Sequence, residues 1–266
     1  MEKQNNTELQ NTINHTFLST SSLSDKTEGY QKITNILKNE IEQVHLEYIA
    51  IKGPLSKKIP ANNKFYYTLL SLSGKAALIT GDNNYKIEGN YIARSPFNTE
   101  YKLEVEKGEL FYCLLIRTKL EQDDLDEIAK EPDIHKKPYI KAIADCPVYK
   151  EAIKSPKTLN RMILPEGFVP RFCMGTVETT GPDEVGAHEH QMLEQLFLGL
   201  KDCSCTVCAD DASILLTENM IMHVPLGSVH SVKVDKGDKL SYVWLDFFKT
   251  LEGQSYMDEQ HEMEDN

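Results

Sequence analysis

The chain has 266 residues, 40% of them hydrophobic and 26% charged, with a formal charge of −12. That balance suits a globular protein of one large or two ordinary domains, and the acidic surplus argues against nucleic acid or anionic membrane as a partner. No apolar run approaches the roughly 20 residues needed to span a bilayer, and the polar start MEKQNNTELQ lacks the apolar stretch of a secretion signal.

A cytoplasmic location with reduced thiols is therefore expected for the six cysteines. In chain order, residues 1–42 read as an N-terminal arm, rich in Asn, Thr and Ser over its first thirty positions. Over residues 43–118 short apolar runs alternate with turn signals, as in TLLSLSG, AALITGDNN and ELFYCLLI, which predicts a string of short strands. Residues 119–160 change character. LEQDDLDEIAKEPD and KPYIKAIADCPVYKEAIKSP, with prolines at their ends, read as a helical linker. The short-strand pattern returns over residues 161–250, in FCMGTVET, LEQLFLGL, NMIMHVP, HSVKV and LSYVWLDFF. Residues 251–266 read as an acidic tail.

The two strand regions are copies. RSPFNTEYKLEVEKGE lies over HVPLGSVHSVKVDKGD with Pro96 on Pro225 and Gly108 on Gly237, an offset of 129 residues. The same offset sets EGNYIARSP beside the ENMIMHVP region and AALITGD beside CTVCADD. A repeat held at one offset indicates duplicated modules. The expected architecture is all-β with a helical linker.

The chemistry-bearing stretch is HEHQMLE, from His188 to Glu194. On a strand, His188 and His190 share a face. Glu194 opens the next apolar run and can return to that face. Downstream, Pro225-Leu226-Gly227-Ser228-Val229-His230 brings a further imidazole on another strand. Three imidazoles and one carboxylate suit Mn, Fe, Co, Ni or Zn, with positions left for water or substrate.

H-x-H-x3-E followed by P-x-G-x2-H resembles the two signature motifs of the cupin superfamily, with Asn219 standing where the second motif carries its leading glycine. The resemblance covers roughly residues 43–250. It implies two tandem cupin (jelly-roll) barrels, a bicupin, with His188, His190, Glu194 and His230 as ligands of one divalent transition metal per chain. Mn2+ is expected first, with Fe2+ or Zn2+ as alternatives. Subtracting the repeat offset puts Ile59, Ala61, Phe65 and Tyr101 at those positions of the first copy. None makes a ligand set, so residues 43–118 are expected to be a degenerate, metal-free cupin serving as a dimerisation surface, in a homodimer with one site per chain.

Other residues invite a role. Arg171, in PRFCMGTVET, is a candidate clamp for a substrate carboxylate or enolate. His223, two residues before Pro225, is a candidate general base. Tyr242, Trp244 and Asp246 share one strand face, which core packing explains best. Cys203, Cys205 and Cys208 read as small packing residues rather than a zinc knot. Glu189 and Gln195 are expected to point outward.

The overall plan is similar to ureidoglycine aminohydrolases, and HSVKVDKGDKLSYVWLDF is similar to the 4-deoxyuronate ketol-isomerases. Cupin dioxygenases share the three-His, one-Glu option. The leading expectation is hydrolysis of a small activated carbonyl compound, such as a β-diketone or carbonyl acid, by metal-bound water. A sugar-acid ketol-isomerase, an Fe(II) dioxygenase and a non-enzymatic ligand-sensing cupin are the alternatives. In each case the partner is a small oxygen-rich molecule.

Overall fold

The computed structural model describes residues 13–18 and 23–255. The rest of the N-terminal arm and residues 256–266 of the acidic tail lie outside them. The chain opens with β1 (His15–Phe17). The first barrel holds β2 (Gln31–Ile36), β3 (Val44–Lys52), β4 (Leu55–Ile59), β5 (Phe65–Thr80), β6 (Asn83–Glu88), β7 (Tyr91–Arg94), β8 (Tyr101–Val105) and β9 (Leu110–Lys119). The connection comprises α1 (Gln122–Lys130), α2 (Pro132–His135), β10 (Tyr139–Ala142), a 3-10 turn at Ile143–Asp145, and β11 (Val148–Tyr149). The second barrel holds β12 (Leu159–Val169), β13 (Phe172–Thr180), β14 (Asp183–His188), β15 (Leu193–Gly199), β16 (Ser204–Ala209), β17 (Ala212–Thr217), β18 (Met220–Val224), β19 (His230–Val234) and β20 (Lys239–Phe248). Among the described residues no helix is long and apolar enough to cross a membrane.

The repeat is structural. At the offset of 129, β6, β8 and β9 fall on β17, β19 and β20 residue for residue. β20 is buried on both faces, and strand alternation divides its apolar side chains between them. In β20, Tyr242 and Trp244 fill the second barrel, whereas Val243, Leu245 and Phe247 join Leu46, Leu114 and Ile116 of the first barrel in a shared core. Ile49, Leu69, Leu103 and Phe111 fill the first barrel.

The linker departs from the helical expectation after His135. β10 adds to the edge of β7, and β11 adds to β12. Pro138 and Pro147 bias the residues before them toward extended backbone, and the two sheet edges supply partners for the short segments that follow. The arm is also more integrated than its composition implies. β1 pairs antiparallel with β18 of the second barrel, and Leu18, Leu23, Ile36 and Ile41 are buried in the shared core.

Candidate metal centre and cavity

His188 ends β14 and pairs with His230 at the start of β19. A one-residue bulge between Val185 and His188 in this ladder sets the two rings together. The turn before β19 is fixed by Asp210, which accepts hydrogen bonds from Ser228 Oγ at 2.6 Å and Val229 N at 3.0 Å. Gly227, at φ 74°, takes the left-handed conformation the turn requires. Its N–H donates to His190 O at 3.0 Å, tying the loop after β14 to the same turn.

The three rings converge. Their centroids are 4.2 Å apart for His188 and His230, 4.9 Å for His188 and His190, and 5.5 Å for His190 and His230. One nitrogen from each lies within 4.8 Å of the others. His188 Nδ1 donates to Gly186 O at 2.8 Å, and His230 Nδ1 donates to Ser228 O at 3.1 Å. Those bonds leave Nε2 as the lone-pair nitrogen, the usual way an imidazole is held for a metal. His230 Nε2 is buried with no hydrogen-bond partner. Burial, then the neighbouring His188, lowers His230 to about 4, and burial also lowers His188. Both imidazoles are thus kept neutral, the ligand form. The cluster fits a divalent transition ion of the kind that accepts nitrogen donors.

Glu194 is not part of this cluster. β15 begins at Leu193, so Leu193, Gln195 and Phe197 face the barrel interior, while Glu194, Leu196 and Leu198 face the shared core. Glu194 Oε2 accepts from His223 Nε2 at 2.8 Å, and Oε1 accepts from Lys249. Burial alone would raise the Glu194 carboxyl, but these bonds hold it below its ordinary value. The gapless repeat offset fails here: Glu194 pairs with Phe247 as Tyr66 pairs with Thr118, so Tyr66 rather than Phe65 is its counterpart. In the first barrel Ile59 and Tyr101 are packed into the apolar interior.

His223 shares the outward parity of Ile221 on β18. Its Nδ1 donates to Glu40 Oε1 at 2.8 Å while Nε2 faces Glu194, so it joins the N-terminal segment to the second barrel and does not line the cavity. Arg171 sits at φ 57° in the turn between β12 and β13. It donates to both Asp124 oxygens, at 2.8 and 2.5 Å, and to Gln43 Oε1 at 3.2 Å. It therefore clamps α1 and the first barrel to the second, and it does not line the cavity at the histidines.

The histidines open onto a cavity of about 480 Å³ within the second barrel, inside the usual range for small-molecule sites. Tyr242, Trp244 and Asp246, assigned to core packing by their pattern, line it together with Gln195 and Glu166. Gln195 points inward, against the expectation, because the strand starts at Leu193. Trp244 lies across Gly175, where a Cβ would fall 2.2 Å from Trp244 Cζ2. Burial pushes the Asp246 carboxyl up to about 8, so it holds a proton at neutral pH. Linker residues 149–154 also line the cavity, among them Glu151 and Lys154, paired at 2.5 Å. Among Glu166, Gln195 and Asp246, Glu166 carries no signal in the sequence, whereas Gln195 shares its strand face with Phe197 and Asp246 shares its own with Trp244.

No family model matches the sequence, and no curated protein matches it. Solved structures do. An IolB-like protein from Salmonella typhimurium is 16% identical with a TM-score of 0.61, over 81% of this chain and 88% of that one. A cupin 2 conserved barrel domain protein from Leptotrichia buccalis is 11% identical with a TM-score of 0.55, over 85% and 93%. Oxalate decarboxylase from Lactobacillus farciminis is 8% identical with a TM-score of 0.61, over 89% and 86%. At these identities the likeness is one of fold. With two repeated barrels and a histidine cluster in the second, this chain has the bicupin fold.

Proposed function

We propose that the protein is a metal-dependent enzyme that performs non-redox proton-transfer chemistry on a small oxygen-rich carbonyl compound, hydrolysis being the first reading. The observation that carries it is the buried, partnerless His230 Nε2, grouped with His188 and His190 at a cavity of substrate size. Mn2+ is the proposed ion, with Fe2+ or Zn2+ compatible with the same donors. A divalent ion held by neutral imidazoles supplies Lewis-acid polarisation of a carbonyl and activates water near neutral pH.

The chain's own residues supply the rest. Asp246 holds a proton at its carboxyl inside the cavity and serves as general acid. Glu151 and Lys154, paired in the linker, add two charged groups to the cavity lining. Ketol isomerisation is the second reading, because a protonated acid beside a carbonyl serves enolisation equally well. We further propose a cytoplasmic homodimer that acts on small molecules and not on nucleic acid. Six unbridged cysteines suit a reducing compartment.

The test is metal content of the untagged protein and of His188→Ala, followed by anaerobic assays on β-diketones, keto acids and uronic acids. One divalent ion per chain, lost in the variant, with product formed without oxygen, is the expected result. Oxygen consumption matched to product would replace this reading with a dioxygenase. Absence of bound metal after reconstitution would remove the enzyme reading.

A further inference from the structure

We propose that Gln195, Asp246 and Glu166 form a subsite that holds the hydroxyl groups of a polyhydroxylated carbonyl substrate. This deepens the metal-enzyme reading and rests on it only for placing the reacting carbonyl at the histidines.

The three residues form a row across one wall of the cavity. The sheet order there is β15, β20, β13, β12. Gln195 pairs with Asp246, and Asp246 pairs with Cys173. Cys173 Sγ lies 3.9 Å from Glu166 Oε1. Along this row three oxygens are buried with no hydrogen-bond partner: Gln195 Oε1, Asp246 Oδ1 and Glu166 Oε2. Gln195 is 6% exposed and Asp246 9%. Partnerless buried acceptors destabilise a fold, and native proteins keep few of them. Three in one row of a cavity indicate a ligand that brings donors.

The spacing selects the donor. Neighbouring strands lie about 4.8 Å apart, so the row spans roughly 14 Å of backbone. One ammonium group reaches acceptors only about 3 Å away and cannot serve the row. Hydroxyls on successive carbons can. Each also accepts a bond, so it can accept the hydrogen bond that the protonated Asp246 carboxyl donates. Trp244, two residues from Asp246 on the same inward face, offers an aromatic surface to the C–H side of such a chain.

The test is calorimetric titration of the metal-loaded protein with gluconate, hexanoate and 6-aminohexanoate. The first two differ only in hydroxyls. Gluconate should bind roughly tenfold tighter or more. The difference should vanish in Glu166→Leu and in the double variant Gln195→Leu/Asp246→Leu. Both should keep their metal, and the double variant should melt higher than wild type, since two partnerless oxygens are gone. A purely structural role would instead lower the melting temperature. Equal binding of gluconate and hexanoate overturns the proposal, as does tighter binding of 6-aminohexanoate. Loss of metal from the double variant would assign Gln195 to the metal shell and also overturn it. If the protein binds no metal at all, the gluconate preference is still measurable, so the two readings fail separately.

Discussion

Replacing Glu194 by alanine separates a metal ligand from a structural acid. In the structure its carboxylate accepts from His223 Nε2 and Lys249, with the side chain 11% exposed and His223 7% exposed. Lys249 is 39% exposed, so its pair is weakened by solvent and contributes little. The His223 contact is buried, and losing it leaves a ring nitrogen without its partner between two barrels. Breaking a buried pair of this kind costs about 3 kcal/mol. For a protein of this size that lowers the melting temperature by roughly 6–12 °C. The assay is thermal unfolding followed by circular dichroism, run beside metal analysis of the same preparation. Metal content should equal that of wild type. Loss of metal with an unchanged melting temperature would refute the reasoning and return Glu194 to the ligand set.

Three further outcomes follow from the same geometry. His230→Ala should abolish metal retention while folding is preserved, because it removes a partnerless buried nitrogen; circular dichroism and metal analysis together check it. Arg171→Met should cost about 3 kcal/mol by stranding Asp124, which is 1% exposed, and should leave the affinity for any cavity ligand unchanged. A fall in affinity would restore Arg171 to the site. His135 is lowered to about 4, by burial first and then by Arg94. Its unfolded form takes up a proton near 6.5, so the unfolded state binds more protons between those values. Stability should therefore fall by about 3 kcal/mol as pH drops from about 6.5 to about 4. His135→Gln should flatten that slope in denaturant titrations, and an unchanged slope would refute it.

The sequence by itself determined the duplication and the three histidines. Both rest on local regularities: β6, β8 and β9 recur as β17, β19 and β20 at one offset, and His188 and His190 lie two apart at the end of the strand that pairs with the one carrying His230. Local order of that kind survives into the fold because each ladder repeats it. The fourth position of the motif was decided by tertiary structure. A strand's faces alternate with each residue, so a register difference of one exchanges them. With β15 starting at Leu193, Glu194 turns to the shared core and Gln195 to the cavity. His223 and Arg171 looked catalytic because a polar residue near a motif has no address in one dimension. Their addresses came from partners far along the chain, Glu40 and Asp124, and only packing one barrel against the other brings those carboxylates within reach.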